Sequence, residues 1–413
     1  MNTLRILLFP LILTAQACGD SSTHALAGAT PPPPAMPEPE TAPPLMPSNG
    51  SAIPPVLSLT SGAWMKGDLH VHSRHSNDST NNPVAKIVAL AETVGLDYLL
   101  ISDHDNHVNG DIAGNTWADP EFTSDSVFLL YGAEWTTHRG HGTTLSATPY
   151  AHDRFYALRD ARDQKLIAAK KELGLYVSAN HPGGGDHFGF SYDLVDSMEV
   201  WNSAIWATNA ASVTIWDDML KSGRRIAANG GSDSHHGYPD TPGNEADPNN
   251  IQAGGNNIGT PTTWVYAETS SAAAVVAALK AGRTSVSANP NAPRVEFYAD
   301  SNRDGTMDAM MGDNIKATGE VVNFRVQLTN GLANVPYTVT VTKDGAEFGS
   351  YTTSGSLPTA SFADTPSADA RSYYRVVVQG PGTAYPQVPA STALSADMVG
   401  LTSAITFNFD PDF

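Results

Sequence analysis

The sequence predicts an α/β domain followed by an all-β domain, and three observations support this prediction. Short apolar, β-rich runs alternate with amphipathic helical stretches between Trp64 and Pro290. After Pro290, strands and turn signals follow one another without a strong helical stretch. The 413 residues, 41% of them hydrophobic, suffice to bury a core in each part. We therefore expect an α/β barrel or a doubly wound sheet first, and an immunoglobulin-like β-sandwich second.

Residues 1–17 have the features of a secretory signal peptide. Arg5 provides a positive start, residues 6–13 form an apolar core, and Ala15-Gln16-Ala17 is a typical cleavage site. Cys18 follows directly and resembles the lipid-bearing residue of a bacterial lipoprotein. We expect an exported protein, either lipid-anchored at the bacterial envelope through Cys18 or free in the periplasm or outside the cell.

Composition divides the remaining chain into three segments. Residues 18–60 are rich in Pro, Ala, Ser, Thr and Glu, a composition that cannot bury a core, so a disordered linker is expected. Residues 61–290 are assigned to the α/β domain and residues 291–413 to the β-sandwich.

The apolar runs of the first domain lack the alternation of half-exposed strands, so both of their faces are expected to be covered, as in parallel sheets. These predicted strands are 68–71, 98–102, 127–132, 175–179, 198–201, 225–228 and 262–267. The predicted helices are 82–94, 153–173, 211–222 and 270–281, several of which end at glycine. The predicted strands of the second domain are 321–328, 337–343, 346–352 and 372–379.

Charge and cysteine content exclude several classes of protein. With 23 Lys+Arg against 42 Asp+Glu, the chain carries a net charge of −19 and lacks the positive surface that nucleic acid or anionic lipid requires. We expect no nucleic-acid partner, and membrane contact only through a lipid anchor at Cys18. A single cysteine excludes an internal disulfide and a cysteine-ligated zinc site. Any bound metal must therefore be held by nitrogen and oxygen.

The histidines are concentrated in the first domain. Of the 13, 12 fall between His70 and His236, and the chain after His236 contains none. Seven of them belong to five groups of polar residues, each of which follows a predicted strand. The groups contain His70, His72 and Asp78; Asp103 and His104; Glu134, His138 and His141; Asn180 and His181; and Asp233 and His235.

The position of these groups favours a metal site. Residues at i and i+2 of a strand share a face, so His70 and His72 can present two ligands to one side, as can Asp233 and His235. Strand ends are also where α/β barrels build active sites. Any one group could be a turn or an exposed edge, but burial of all five without a cation would cost several kcal/mol per charge. Imidazole and carboxylate ligands suit Zn²⁺, Mn²⁺ or Fe²⁺, and their number favours a multinuclear centre.

At these residues the sequence resembles the PHP (polymerase and histidinol phosphatase) family of metal-dependent hydrolases. The resemblance covers about residues 64–290 and implies a distorted (β/α)₇ barrel with two or three metals at its strand ends. It implies a first metal at His70, His72, Glu134 and Asp233; a second shared through Glu134 with His141 and His181; and a third at Asp78, His104 and His235. His75 is a rival of Asp78, and His138 is a rival of His141. The Glu134-to-Gly-His spacing, residues 281–284 and the C-terminal β-domain resemble the carbaryl-hydrolase-like branch.

The resemblance implies a metal-dependent hydrolase in which a metal-bridging hydroxide attacks a small-molecule ester. A phosphoesterase, either a phosphatase or a phosphodiesterase, is favoured. A carbamate or carboxylic ester hydrolase on the same site is the alternative, and an inactive surface binding protein is a second. Arg74, Arg139 and His187 are candidates for binding an anion or protonating a leaving group, although each is equally well interpreted as a surface or supporting residue.

A second motif lies at the start of the β-domain. Asp300, Asn302, Asp304 and Asp308 alternate as in the first nine positions of a calcium loop, and Gly305 stands at the sixth position. The motif departs from the pattern at position twelve, where Met311 replaces the acidic residue, although Asp313 is near. Two interpretations stay open at this point, an Asp/Asn-rich turn at the domain junction and a structural calcium site.

Overall fold

The computed structural model describes residues 61–185, 187–235, 257–387 and 391–410. The predicted signal peptide, Cys18, the linker of residues 18–60, and His236 lie outside these residues. Among the residues that are described, no helix is long and apolar enough to cross a membrane.

Nine strands and five α-helices lie among the described residues of the part assigned to the first domain. The strands are β1 (Ala63–Asp68), β2 (Tyr98–Leu100), β3 (Phe128–Thr137), β4 (Gly140–Ser146), β5 (Tyr176–Ala179), β6 (Ser197–Asn202), β7 (Ala227–Gly231), β8 (Thr262–Ala267) and β9 (Thr284–Ser287). The helices are α1 (Val84–Thr93), α2 (His152–Tyr156), α3 (Asp163–Leu173), α4 (Ala210–Ser222) and α5 (Ala272–Ala281).

These strands form one mixed sheet in the order β9-β8-β1-β2-β3-β4-β5-β6-β7. The runs β1-β2-β3 and β5-β6-β7 are parallel, as predicted. The expectation that all seven strands are parallel was wrong for β8, which pairs antiparallel with both β1 and β9. Strand β4 was not predicted at all. It folds back on β3 as a hairpin at Gly140, whose φ of 115° is readily available only to glycine.

The helix predicted over 153–173 is divided into α2 and α3. The intervening residues are good helix formers, so local propensity does not explain the break. Tertiary contacts do: the Arg139 guanidinium donates to the carbonyl of Ala161 and to the carboxylate of Asp163, the first residue of α3. As predicted, α3 ends at a glycine, Gly174, in the left-handed conformation.

The remaining strands fall into two sets: four form a separate sheet, and six join the large sheet. They are β10 (Arg294–Asp300), β11 (Ala309–Met310), β12 (Asn314–Ile315), β13 (Val322–Thr329), β14 (Tyr337–Lys343), β15 (Ala346–Thr353), β16 (Thr359–Asp364), β17 (Ser372–Gln379), β18 (Met398–Thr402) and β19 (Ile405–Phe407); a short helix, α6 (Ser391–Leu394), precedes β18. Strands β11-β10-β13-β16 form a four-stranded sheet. Strands β12, β14, β15, β17, β18 and β19 belong to the large sheet, which they join where β18 pairs with β9.

Side chains from both sheets share one core. Strand β13 alternates as a half-buried strand should, with Phe324 facing inwards, and the Phe324 ring lies 4.7 Å from that of Tyr374 on β17. The large sheet is continuous across residue 290, the expected domain boundary. The protein is thus a mixed α/β structure with a large sheet and few helices. The closed (β/α)₇ barrel and the immunoglobulin-like sandwich stay predictions.

Candidate metal centre

The ends of β1 and β7 lie side by side beyond their last paired residues. Val71 and Ser234 form an isolated parallel bridge, and the N–H of Asp233 donates to the carbonyl of His70 at 2.8 Å. This contact places the two ligand pairs predicted from i, i+2 spacing next to each other. The Nε2 atoms of His70 and His72 are only 3.1 Å apart, so both imidazoles point to the same region.

Glu134, on β3, lies at the centre of the predicted ligands and is buried. Its two carboxylate oxygens lie within 2.9 to 3.4 Å of imidazole nitrogens from five histidines. Oε1 contacts His70, His141 and His181, and Oε2 contacts His72 and His104. One carboxylate therefore joins side chains from the ends of four different strands.

Two further carboxylates flank this centre. Oδ1 of Asp233 lies 3.3 Å from Nε2 of His70 and 3.2 Å from Nε2 of His72. Oδ2 of Asp78 lies 3.2 Å from Nε2 of His104 and 3.5 Å from Nε2 of His235. We call the nine residues together the histidine cluster: His70, His72, Asp78, His104, Glu134, His141, His181, Asp233 and His235.

The donor set of the histidine cluster fits a divalent transition metal. Four overlapping groups of three side chains have ligand atoms that all lie within 4.8 Å of one another. The groups are His72, His104 and His235; His70, Glu134 and His181; His70, His72 and Asp233; and His104, Glu134 and His141. In addition, Oε2 of Glu134 and Nδ1 of His141 are buried without a hydrogen-bond partner among the described residues. Buried polar atoms are normally satisfied, so a cation between these groups would account for both atoms.

Charges within the cluster compensate one another. Burial opposes the charged form of His104, but Glu134 and Asp78 outweigh it and raise its pKa to about 10. Burial likewise opposes protonation of His181, and Glu134 raises its pKa to about 9. Burial disfavours the charged form of Glu134, yet His70 and His104 hold its pKa well below the usual range. A metal bound by these imidazoles would have to displace their protons.

His72 behaves differently from its neighbours. Burial lowers its pKa to about 4, and the nearby imidazoles of His235 and His104 add to this effect despite the contact with Asp233. His72 is therefore neutral at physiological pH and already in the form that a metal requires.

Four further residues contact side chains of the cluster, and of these four only Asn180 was singled out from the sequence. Ser76 Oγ lies 3.2 Å from Nδ1 of His72, Thr136 Oγ1 lies 2.7 Å from Nδ1 of His104, and Asn180 Nδ2 donates to Oε1 of Glu134 at 3.0 Å. Glu199 on β6 contacts Nδ1 of His70 at 3.0 Å. The sequence does hold one indication for Glu199, which is a charged residue within a predicted strand that is otherwise apolar.

The two rival ligands point away from the cluster. His75 Nε2 lies 2.7 Å from Oδ2 of Asp119, and His138 is exposed beside Asp160. The structure instead places Asp78 and His141 against cluster members.

Of the three catalytic candidates, the two arginines form ion pairs with residues outside the cluster. Arg74 pairs with Asp119 at 2.8 Å and with Glu121 at 3.2 Å. Arg139 pairs with Asp163 at 2.7 Å, and His187 is exposed. By contrast, His107 lies at the cluster, where its ring is 4.7 Å from that of His104.

The loop that resembles a calcium site folds as an Asp/Asn-rich turn. The N–H of Gly305 donates to Oδ2 of Asp300, and both oxygens of Asp308 accept hydrogen bonds from Ser301. Asp313 is occupied by Arg283, at 2.9 Å. In the described part of the chain, no metal-competent group of three includes a residue of this loop. Calcium binding by Asp300, Asn302, Asp304 and Asp308 stays a prediction.

No protein-family model matches the chain, and no curated protein sequence matches it. Among solved structures, the chain is similar to a two-domain protein from Bacteroides vulgatus that contains a predicted PHP-like metal-dependent phosphoesterase. The two share 14% sequence identity with a TM-score of 0.41, over 86% of this chain and 98% of the other. A similarity of this size does not establish a shared fold.

Proposed function

We propose that the protein is a metal-dependent hydrolase of the PHP type that cleaves phosphate esters. The observation that supports this proposal is the convergence of six imidazoles and three carboxylates around Glu134, with buried ligand atoms that lack hydrogen-bond partners. All nine residues of the histidine cluster are the proposed metal ligands. They would hold two or three cations of Zn²⁺, Mn²⁺ or Fe²⁺.

The charge of the cluster favours an anionic substrate. Its three carboxylates, Asp78, Glu134 and Asp233, carry a total charge of −3, whereas two or three divalent cations bring about +4 to +6. The loaded site is therefore positive, which favours a phosphoryl group despite the acidic net charge of the whole chain. Bound cations would supply Lewis acidity, which polarises a phosphoryl oxygen and lowers the pKa of water.

The side chains of the protein have two tasks in this proposal. The buried residues Glu134, His70 and His72 hold the ligand geometry rigid, because their burial leaves little room for other rotamers. Asp78 and His235 are more accessible, with side chains 46% and 24% exposed, and we assign them to the face that meets the substrate.

A panel of substrates tests the proposal. The full chain would be loaded with Mn²⁺, Zn²⁺ or Fe²⁺ and assayed with p-nitrophenyl phosphate, bis(p-nitrophenyl) phosphate and 1-naphthyl N-methylcarbamate. Turnover of either phosphate ester that is abolished by Asp233→Ala supports the proposal. Turnover of the carbamate alone would identify the carbamate or ester hydrolase instead. Fewer than two bound transition metals per chain, with no turnover, would overturn the proposal.

We further propose that the protein is exported through residues 1–17 and then either lipid-anchored at Cys18 or released. Cell fractionation of the full chain and of Cys18→Ser tests this. Release of the variant from a membrane fraction that retains the wild type supports a lipid anchor. Identical soluble periplasmic fractions support free export, and a cytoplasmic location of both would overturn the proposal.

A further inference from the structure

We infer that Glu199 is a positioning residue of the metal centre, which fixes the ligand nitrogen of His70 and the backbone of His181 at the same time. This inference rests on the proposed metal-dependent function. It assigns no contact between Glu199 and the cation itself.

Both oxygens of Glu199 face groups that belong to cluster residues. Oε1 lies 3.0 Å from Nδ1 of His70, and Oε2 accepts the backbone N–H of His181 at 2.9 Å. Asn202 Nδ2 also donates to Oε2, at 3.0 Å. Glu199 is 3% exposed, so solvent does not compete for these hydrogen bonds.

The contact with His70 decides which ring nitrogen faces the cluster. A carboxylate can only accept hydrogen bonds, so Nδ1 of His70 must carry a hydrogen and a neutral ring then has its lone pair on Nε2. Nε2 is the atom that lies 3.3 Å from both Glu134 Oε1 and Asp233 Oδ1. A partner behind the ring that orients a ligand histidine in this way also raises its basicity.

Among the described residues, no other histidine of the cluster has a carboxylate outside the cluster against its ring; Nδ1 of His235 faces the backbone carbonyl of Asp233 instead, at 2.9 Å. Nδ1 of His72 faces the hydroxyl of Ser76, and Nδ1 of His104 faces the hydroxyl of Thr136. A hydroxyl can donate or accept, so neither contact fixes the tautomer of its ring. Among the described residues, a carboxylate outside the cluster therefore fixes the tautomer of His70 and of no other histidine of the cluster.

The contact with His181 holds a strained segment of backbone. His181 has a φ of +28°, a conformation that side-chain-bearing residues rarely adopt and that needs support from its surroundings. Oε2 of Glu199 accepts the N–H of this residue, while Nε2 of the same residue lies 3.2 Å from Oε1 of Glu134. His70, Glu134 and His181 form one of the four metal-competent groups, and Glu199 supports two of its three members.

The neighbouring strand makes room for this arrangement. Gly231, on β7, packs against both His70 and Glu199, and a Cβ atom there would lie 2.7 Å from Oε1 of Glu199 and would overlap with His70. Because Gly231 has no side chain, the carboxylate of Glu199 can approach the ring of His70.

Glu199→Gln tests the inference in the full-length protein. Glutamine has one oxygen in place of two, so its NH₂ group must face either Nδ1 of His70 or the donors of His181 and Asn202. We expect Zn²⁺ or Mn²⁺ affinity, measured by competition with a chelating dye, to fall by about 10- to 100-fold, and the spectrum of the Co²⁺-loaded protein to change. Glu172→Gln is the matched control, because Glu172 pairs with Arg154 at the exposed surface.

The possible outcomes separate this inference from the proposed function. A wild-type protein that binds no metal would overturn both. Wild-type binding together with a Glu199→Gln affinity within about threefold of it would overturn the inference alone. If circular dichroism shows that Glu199→Gln is unfolded, Glu199→Asp decides, since it keeps the charge but shortens the reach: weaker metal binding by a folded variant supports the inference, and wild-type binding contradicts it.

Discussion

Oε2 of Glu134 lies 2.9 Å from Nδ1 of His104, yet this buried oxygen has no hydrogen-bond partner among the described residues. The His104 nitrogen is instead 2.7 Å from Oγ1 of Thr136. A buried carboxylate oxygen without a donor costs free energy, and a cation between Glu134 and the imidazoles would recover it. Within the cluster, we therefore expect loss of the Glu134 charge to have the largest effect on metal binding.

Glu134→Gln is expected to remove at least one metal ion per chain. The change keeps the volume of the side chain but removes the charge that joins five histidines. Activity should fall by more than the roughly 100-fold that loss of a supporting partner of a metal ligand causes. Elemental analysis of the purified variant, beside Glu172→Gln, measures the effect. Full metal content in Glu134→Gln would contradict the assignment of Glu134 as a ligand.

Removal of metal should lower the stability of the wild-type protein. A metal that binds only the folded state at 100 times its Kd stabilises that state by about 2.7 kcal/mol. Dialysis against a chelator is therefore expected to lower the melting temperature, and added Zn²⁺ or Mn²⁺ should restore it. A melting temperature that does not respond to chelation would argue against cations in the cluster.

Arg139→Ala is expected to destabilise the protein rather than to act on catalysis. Its guanidinium pairs with Asp163, donates to the carbonyl of Gly189 and lies 3.9 Å from the centroid of the Phe190 ring. Loss of these contacts should lower the free energy of unfolding by about 1–3 kcal/mol, as measured in urea.

The control for Arg139→Ala is Arg74→Ala, at the other arginine suggested by the sequence. The Arg74 guanidinium is partly exposed, so loss of its ion pairs should cost less than 1 kcal/mol and change kcat/KM by no more than about threefold. A selective increase of KM in either variant would restore that arginine as an anion-binding residue.

Low pH is expected to destabilise the C-terminal strands, because Asp364 then becomes protonated. Burial disfavours the charged carboxylate, but hydrogen bonds from Lys343 and Tyr374 outweigh burial and lower its pKa below the usual 3.8. A depressed carboxyl pKa gives stability that is fully present above the unfolded-state pKa and is lost as the pH falls through the folded-state value. Melting temperatures of the wild type and Asp364→Asn should therefore converge below about pH 4. A constant difference between pH 7 and pH 3 would contradict this role.

Local rules predicted part of the arrangement of the histidine cluster. The i and i+2 spacing after a buried strand placed His70 beside His72. Asp233 and His235 are also close, but they follow the last residue of β7 and Asp233 has a φ of +54°, so the strand rule does not account for their contact. Parallel strands that share one edge then brought these pairs together. The resemblance to the PHP family supplied Asp78 and His141, which spacing alone did not separate from His75 and His138.

What the sequence did not reveal depends on contacts between distant segments. Glu199 is 129 residues away from the histidine that it contacts, and no local pattern connects the two. Strand β4 has a Gly- and Thr-rich sequence that resembles a loop, and it becomes a strand because β3 and β5 both pair with it. The antiparallel direction of β8 likewise follows from its neighbours β1 and β9.

The pairing of β9 with β18 has a consequence for the N-terminal part of the chain. If the chain ended at residue 290, the N–H and C=O groups of Thr284–Ser287 that now pair with Met398–Thr402 would form an open edge. Open edges template association with other chains, so such a fragment should aggregate rather than remain a monomer. The C-terminal strands thus protect the rest of the molecule from self-association, whatever else they bind.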